Sequence, residues 1–237
     1  MKSRIFPVGT IIALLLALGV SEHGVANDKH QRDSDRLLSF TYAFNRELRP
    51  TLEKKLLLTS ADHGRMIKIP SFPEIGESAV SVDCSTPGIK NGVCRVTATR
   101  AKSSMENTMM ENWGKKDAIQ KVGEIGVIRK DAEIPKATAA AFRSCLRIMI
   151  PPPGDPLELH SLTITDNDRI EFWLEEPNSV PRKGERAERP RERTKALIHM
   201  GDLLARYCEA QQSERPAIAQ QIEEEATRIL PHSTRTK

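Results

Sequence analysis

The chain has 237 residues, with 36 Lys and Arg against 32 Asp and Glu, a formal charge of +4 and 38% hydrophobic residues. That length suffices for one large domain or two small ones and for a sizeable core without dependence on disulfides. The near-balance of charge calls for no nucleic acid, and an aromatic content of 4% argues against stacking platforms for single strands or sugars.

The first 26 residues read as an export signal: Lys2 and Arg4, an apolar run from Ile11 to Val20, then Gly24-Val25-Ala26 before Asn27. The apolar stretch from Phe6 to Val20 is 15 residues and contains Pro7 and Gly9. A helix needs about 20 apolar residues to cross a bilayer, so cleavage is expected, with no transmembrane span after it. The expected location is the periplasm or the extracellular space. Residues 27–36 lack apolar side chains and read as a flexible leader, 37–230 as a single domain with a fallback division near 103, and 231–237 as a tail.

In chain order, the alternation of Phe40, Tyr42 and Phe44 predicts a strand. Leu52 to Thr59 and Arg65 to Ile69 flank Ser60-Ala-Asp-His-Gly64 and predict a hairpin that turns at Gly64. Ser78 to Cys84 and Cys94 to Ala98 alternate around a turn-rich Pro87 to Gly92, which predicts another hairpin. Its register places Val80, Val82 and Cys84 on one face with Cys94, Val96 and Ala98, the two sulfurs side by side. Residues 101–117 read as loop or weak helix, and Ala118 to Val122 as a short helix ended by Gly123 and Gly126. A helix from Pro135 to Ile150 carries the stripe Ala139, Phe142, Leu146 and Met149, and Pro151-Pro-Pro153 ends it. Leu159 to Thr165 against Arg169 to Glu175 predicts a third hairpin, with Ile170, Phe172 and Leu174 opposite Glu171, Trp173 and Glu175. Residues 177–193 read as an exposed loop. Two closing helices carry Leu197, Met200, Leu204 and Tyr207, then Ile218, Ile222, Ala226 and Ile229, the second capped by Ser213. The fold class is α+β: an antiparallel sheet built from hairpins, with helices packed from the C-terminal half.

The four cysteines Cys84, Cys94, Cys145 and Cys208 are read as two disulfides of an oxidising compartment. Hairpin geometry pairs Cys84 with Cys94, and Cys145–Cys208 follows by elimination. No Cys-x-x-Cys, His-Glu-x-x-His or phosphate loop is present, so no cofactor and no metal are assigned. His160-Ser161 with Asp166 lacks a nucleophile elbow, and neighbours on a strand point to opposite faces. The same alternation keeps Glu175 and Glu176 beside Trp173 from acting as paired acids. Asp166-Asn-Asp168 is turn chemistry rather than a calcium loop. Met105, Met109 and Met110 read as a helix edge rather than a copper site, and His199 as a packed surface residue. No catalytic residue is assigned.

The most unusual composition is the run from Arg182 to Lys195, with seven basic and three acidic residues. Arg182, Lys183, Arg186, Arg189, Arg191 and Arg193 are the candidate partner-binding residues. Their expected partner is an acidic protein or an anionic envelope surface. The functional expectation is an exported, non-enzymatic protein that binds another macromolecule, as an inhibitor, an immunity-like protein or an envelope accessory protein. The competing readings are a secreted hydrolase whose site is assembled by the fold and a structural envelope component.

Overall fold

The computed structural model describes residues 46–57, 63–70, 75–84, 92–150, 169–177, 179–185 and 192–230. The chain divides after Glu47, and residues 48–237 form one unit. The expected signal, the leader, the strand at 40–44 and residues 159–165 lie outside the described residues.

Residues 46–56 form helix α1. There follow β1 (His63–Ile69), β2 (Ser78–Asp83), β3 (Val93–Ala101), α2 (Met105–Glu111), α3 (Ala118–Glu124), β4 (Val127–Pro135) and α4 (Lys136–Met149). The chain continues through β5 (Arg169–Glu175), β6 (Arg182–Glu185), α5 (Glu192–Glu209) and α6 (Arg215–Ile229). The six strands make one sheet in the order β4-β3-β2-β1-β5-β6, with every neighbouring pair antiparallel. The protein is therefore α+β, an antiparallel sheet with helices.

Strand alternation divides the sheet into two working faces. Met66, Val80, Val82, Val96, Ala132, Ile134, Phe172 and Leu174 point to one side, where they form the main core with Phe142, Leu146, Leu197, Met200, Leu204, Ile222 and Ile229 of α4, α5 and α6. The expected stripes on these three helices are the buried ones, except that Met149 at the end of α4 is half-buried. Two glycines permit close approach of side chains. A Cβ on Gly64 would stand 2.6 Å from Leu146 Cδ1, and one on Gly201 would overlap Met66 Sδ and Cε. Each of the larger core side chains contributes roughly 1.5–3 kcal/mol through burial.

The opposite face carries buried Ile67, Ile69, Ala79 and Ala101. For that side α1 supplies Leu48, Leu52 and Leu56, while α2 and α3 supply Met105, Met109 and Val122. Arg49 of α1 donates to Glu171 on this face at 2.6 Å, and Lys55 donates to the Ile125 carbonyl beyond α3 at 2.6 Å. The helix α2 begins on a buried acceptor. Glu77 is fully buried and receives the Ser104 hydroxyl at 3.1 Å and the backbone N–H groups of Met105 and Glu106 at 2.8 Å each. A carboxylate on free N–H groups satisfies donors that have no partner within the helix.

Several expectations are corrected. Of the expected arm Leu52 to Thr59, residues 52–56 are helical as part of 46–56, with Leu48, Leu52 and Leu56 in a stripe at fourfold spacing, and 58–59 lie outside the described residues. Gly64 lies inside β1 rather than at a turn. Of the stretch 101–117, read as loop or weak helix, residues 105–111 are a capped helix. A strand unforeseen in the sequence, β4, occupies 127–135 directly before α4. Arg169–Glu175 is a strand with the expected faces, but its neighbours are β1 and β6, so the hairpin partner within the described residues is Arg182–Glu185. The described part of the exposed loop expected at 177–193 thus contains a strand and the first two residues of α5. Glu214, not Ser213, stands at the N-cap of α6, with Pro216 in the first turn as expected.

Cys84 and Cys94 are joined, with Cα atoms 4.5 Å apart. The β2–β3 register extends to place them opposite each other, and that spacing is the one of a non-hydrogen-bonded antiparallel pair. The expected second bridge is absent: Cys145 and Cys208 are free and buried. Each thiol faces a different neighbour. Cys145 Sγ lies 4.0 Å from the Ala226 carbonyl of α6, and Cys208 Sγ lies 3.5 Å from the Val96 carbonyl of β3.

Candidate functional site

The short edge strand β6 carries two of the six candidate cations, Arg182 and Lys183. Pairing sets Lys183 opposite Trp173 and Arg182 opposite Leu174, so the two cations leave the strand on opposite faces. Lys183 Nζ sits 3.7 Å from the centroid of the Trp173 ring, and Arg49 Cζ lies 5.1 Å from it. Trp173 is buried, and its contacts hold the ammonium by cation–π attraction. Below it, Glu171 accepts from Arg49 and lies 3.4 Å from Arg169 Nε. Burial alone would raise the Glu171 carboxyl, but the Arg49 hydrogen bonds and the nearby guanidinium charges outweigh it and hold the group below its ordinary range.

On the other face, Arg182 donates to the Arg147 carbonyl at 3.3 Å, close to the C-terminal end of α4. Arg147 Nε donates to Glu176 Oε1 at 3.2 Å. The Arg147 hydrogen bond, with the charges of Arg147, Arg143 and Arg182, holds the Glu176 carboxyl below its ordinary range. Three guanidiniums therefore share the field of this carboxylate, and Lys183 adds a fourth cation across the strand. Within the protein these cations are engaged, Arg147 with Glu176 and Arg182 with the Arg147 carbonyl.

Of the six candidate residues, Arg182 and Lys183 lie on β6 and Arg193 is exposed in the first turn of α5. Arg186, Arg189 and Arg191 lie outside the described residues. Two contributors escape the sequence reading: Arg143 and Arg147 of α4. Their signal in the sequence is the i,i+4 spacing on a helix; Arg147 is exposed, whereas Arg143 is half-buried with its Cγ facing Gly64.

Other features have different chemistry. A cleft of about 210 Å³ lies between α5 and the β1–β4 part of the sheet, lined by Val80, Ala98, Ile128, Lys68, Lys130 and Asp202 among others. Four of its charged side chains are paired, Lys68 with Asp202 and Lys130 with Glu209 at 3.9 Å, and Arg100 also lines it. His199 Nδ1 lies 3.0 Å from Glu225 Oε1, which also meets Arg228 at 3.1 Å. The His199 side chain is 56% exposed and does not line the cleft. Met105 and Met109 are buried, whereas Met110 is exposed. Burial pushes both free thiols up to about 12, which leaves them protonated and unreactive at neutral pH. Among the described residues no group of three or more His, Cys, Asp or Glu side chains is placed to hold a metal ion. His160, Ser161, Asp166 and Asp168 lie outside the described residues.

No protein-family model matches the chain, and no curated protein or solved structure matches it. Among the described residues no helix is long and apolar enough to cross a membrane.

Proposed function

We propose that this chain is an exported, non-enzymatic protein that acts in the periplasm or the extracellular space by binding an acidic macromolecule. The contact surface is the basic edge formed by Arg182 and Lys183 of β6 with Arg143 and Arg147 of α4. The observation that carries this reading is the anchoring of the two β6 cations, Lys183 over Trp173 and Arg182 on the Arg147 carbonyl. Side chains already held in place lose less conformational entropy when a partner binds, so the same charges recognise it more tightly. The export signal read at residues 1–26 and the Cys84–Cys94 bridge support the location.

The test is capture of partners from envelope extracts by the protein lacking residues 1–26, compared with R182E/K183E. Substitution is the right perturbation, because deleting 182–195 would remove β6 and the first turn of α5. Capture of one acidic partner, lost in the variant and weakened by salt, is the expected result. Equal capture by both proteins would remove the basic edge from the function.

A further inference from the structure

The two edges of the sheet are built differently. At one end β6 is four residues long, a length that discourages further pairing. At the other end β4 runs for nine residues, longer than the usual five or six, and among the described residues only β3 pairs with it. Its outer edge offers backbone groups of known identity. Lys102 N donates to the Gly126 carbonyl and Lys136 N to the Gly92 carbonyl, so the even-numbered residues of β4 direct their N–H and C=O groups at β3. Val127, Arg129, Asp131 and Glu133 therefore direct theirs outward. The Glu133 carbonyl agrees with this phase, since it receives the Tyr207 hydroxyl at 2.9 Å from outside the β3–β4 ladder.

We propose that a second copy of this chain pairs with the outer edge of β4, antiparallel and centred on Lys130. The strand reads Arg129-Lys130-Asp131-Ala132-Glu133, basic before its centre and acidic after it. Antiparallel self-pairing brings the basic half of each copy against the acidic half of the other. In the register centred on Lys130, Arg129 faces the second copy's Asp131 twice, and these pairs exchange their outward N–H and C=O groups. Cross-strand pairs of opposite charge are favourable and like pairs unfavourable, which selects this partner over an unrelated strand. On the other face Ile128, 40% exposed, comes opposite the second copy's Ala132 and loses its contact with water. The two Lys130 side chains meet at the twofold axis, each with Glu209 nearby at 3.9 Å to offset the repulsion. The Tyr207 bond occupies only the Glu133 carbonyl, outside the central exchange. The resulting sheet runs through both copies and leaves a basic β6 edge at each end.

The test is sedimentation equilibrium from about 1 to 100 µM with native mass spectrometry, on wild type, R129D and D131R. Far-UV circular dichroism and thermal melts establish that each variant is folded. Wild type is expected to dimerise, and each variant to lose affinity by about tenfold or more, because each faces two like-charged pairs. Mixing R129D with D131R sets two acidic side chains on one copy against two basic ones on the other. Both cross-strand pairs are then of opposite charge again, so a mixed dimer should form at close to wild-type affinity. Under mild oxidation K130C should link across the axis, as the same kind of opposed pair does at Cys84–Cys94. A monomeric wild type, dimers indifferent to both variants, or a mixture that stays monomeric would each overturn the proposal.

Discussion

The sulfur arrangement makes a sharp prediction, because one bridge and two buried thiols respond differently to the same reagents. Cys84→Ser opens a loop whose ends are separated by 10 residues, and the chain-entropy relation assigns about 3 kcal/mol to a loop of that size. The chain is large, so a loss of that order should lower Tm by about 6–12 °C. Urea unfolding of wild type, C84S and C84S/C94S, each with and without reductant, measures it. Reductant should lower the wild-type midpoint to that of C84S/C94S and leave the double variant unchanged. Thiol counting gives an independent reading. Native protein should react slowly, because both free thiols are buried and pushed up to about 12. In denaturant, two thiols per chain should react without reductant and four with it. Four reactive thiols in unreduced denatured chain would refute the Cys84–Cys94 bridge, and none would refute the assignment of Cys145 and Cys208 as free.

Three more expectations concern buried charge. Glu77→Gln keeps the shape but turns one acceptor into a donor that faces backbone N–H groups, so it should cost about 3 kcal/mol in urea unfolding; a change below about 0.5 kcal/mol would show that α2 does not depend on this cap. Glu171→Gln should cost about 2 kcal/mol at neutral pH. Because the folded Glu171 carboxyl titrates below its ordinary 4.5, that stabilisation is complete above 4.5 and is lost as pH falls through the folded pKa, so wild type and variant should converge in acid. Glu106 behaves oppositely: burial, aided by the charge of Glu77, raises its carboxyl, so its ionisation works against folding above 4.5. Glu106→Gln should therefore be neutral or stabilising at pH 7 and without advantage near pH 3, as thermal melts across that range would reveal.

Where one face of an element is buried and the other is not, the pattern is readable. Val80, Val82 and Cys84 opposite Cys94, Val96 and Ala98 predict both the β2–β3 register and the bridge, and the observed pairing is the same. The stripes of α4, α5 and α6 face one core and are equally plain. Elements without that contrast escape. The side chains of β4 are mostly exposed, with Ala132 and Ile134 the buried ones, so no alternation of period two stands out. The strand β6, Arg-Lys-Gly-Glu, contains no apolar residue and is held by pairing with β5 and by the Trp173 contact. Helix α1 reads as a strand because Leu56-Leu57-Leu58 masks the fourfold spacing of Leu48, Leu52 and Leu56. At the basic edge Arg182 and Lys183 are visible in the composition alone. Arg143 and Arg147 come from a helix more than thirty residues earlier, and their approach depends on how α4 crosses the sheet. Composition also points to a second disulfide, but helix rotation decides where a thiol points, and it aims Cys145 at α6 and Cys208 at β3.

The binding role of the basic edge is best checked by calorimetry of the captured partner with wild type and R182E/K183E, at about 50 and 300 mM salt. Wild type should weaken steeply as salt rises, and the variant should bind at least tenfold more weakly at the lower concentration with a flatter salt dependence. Equal affinity of the two proteins, or wild-type affinity indifferent to salt, would rule that role out.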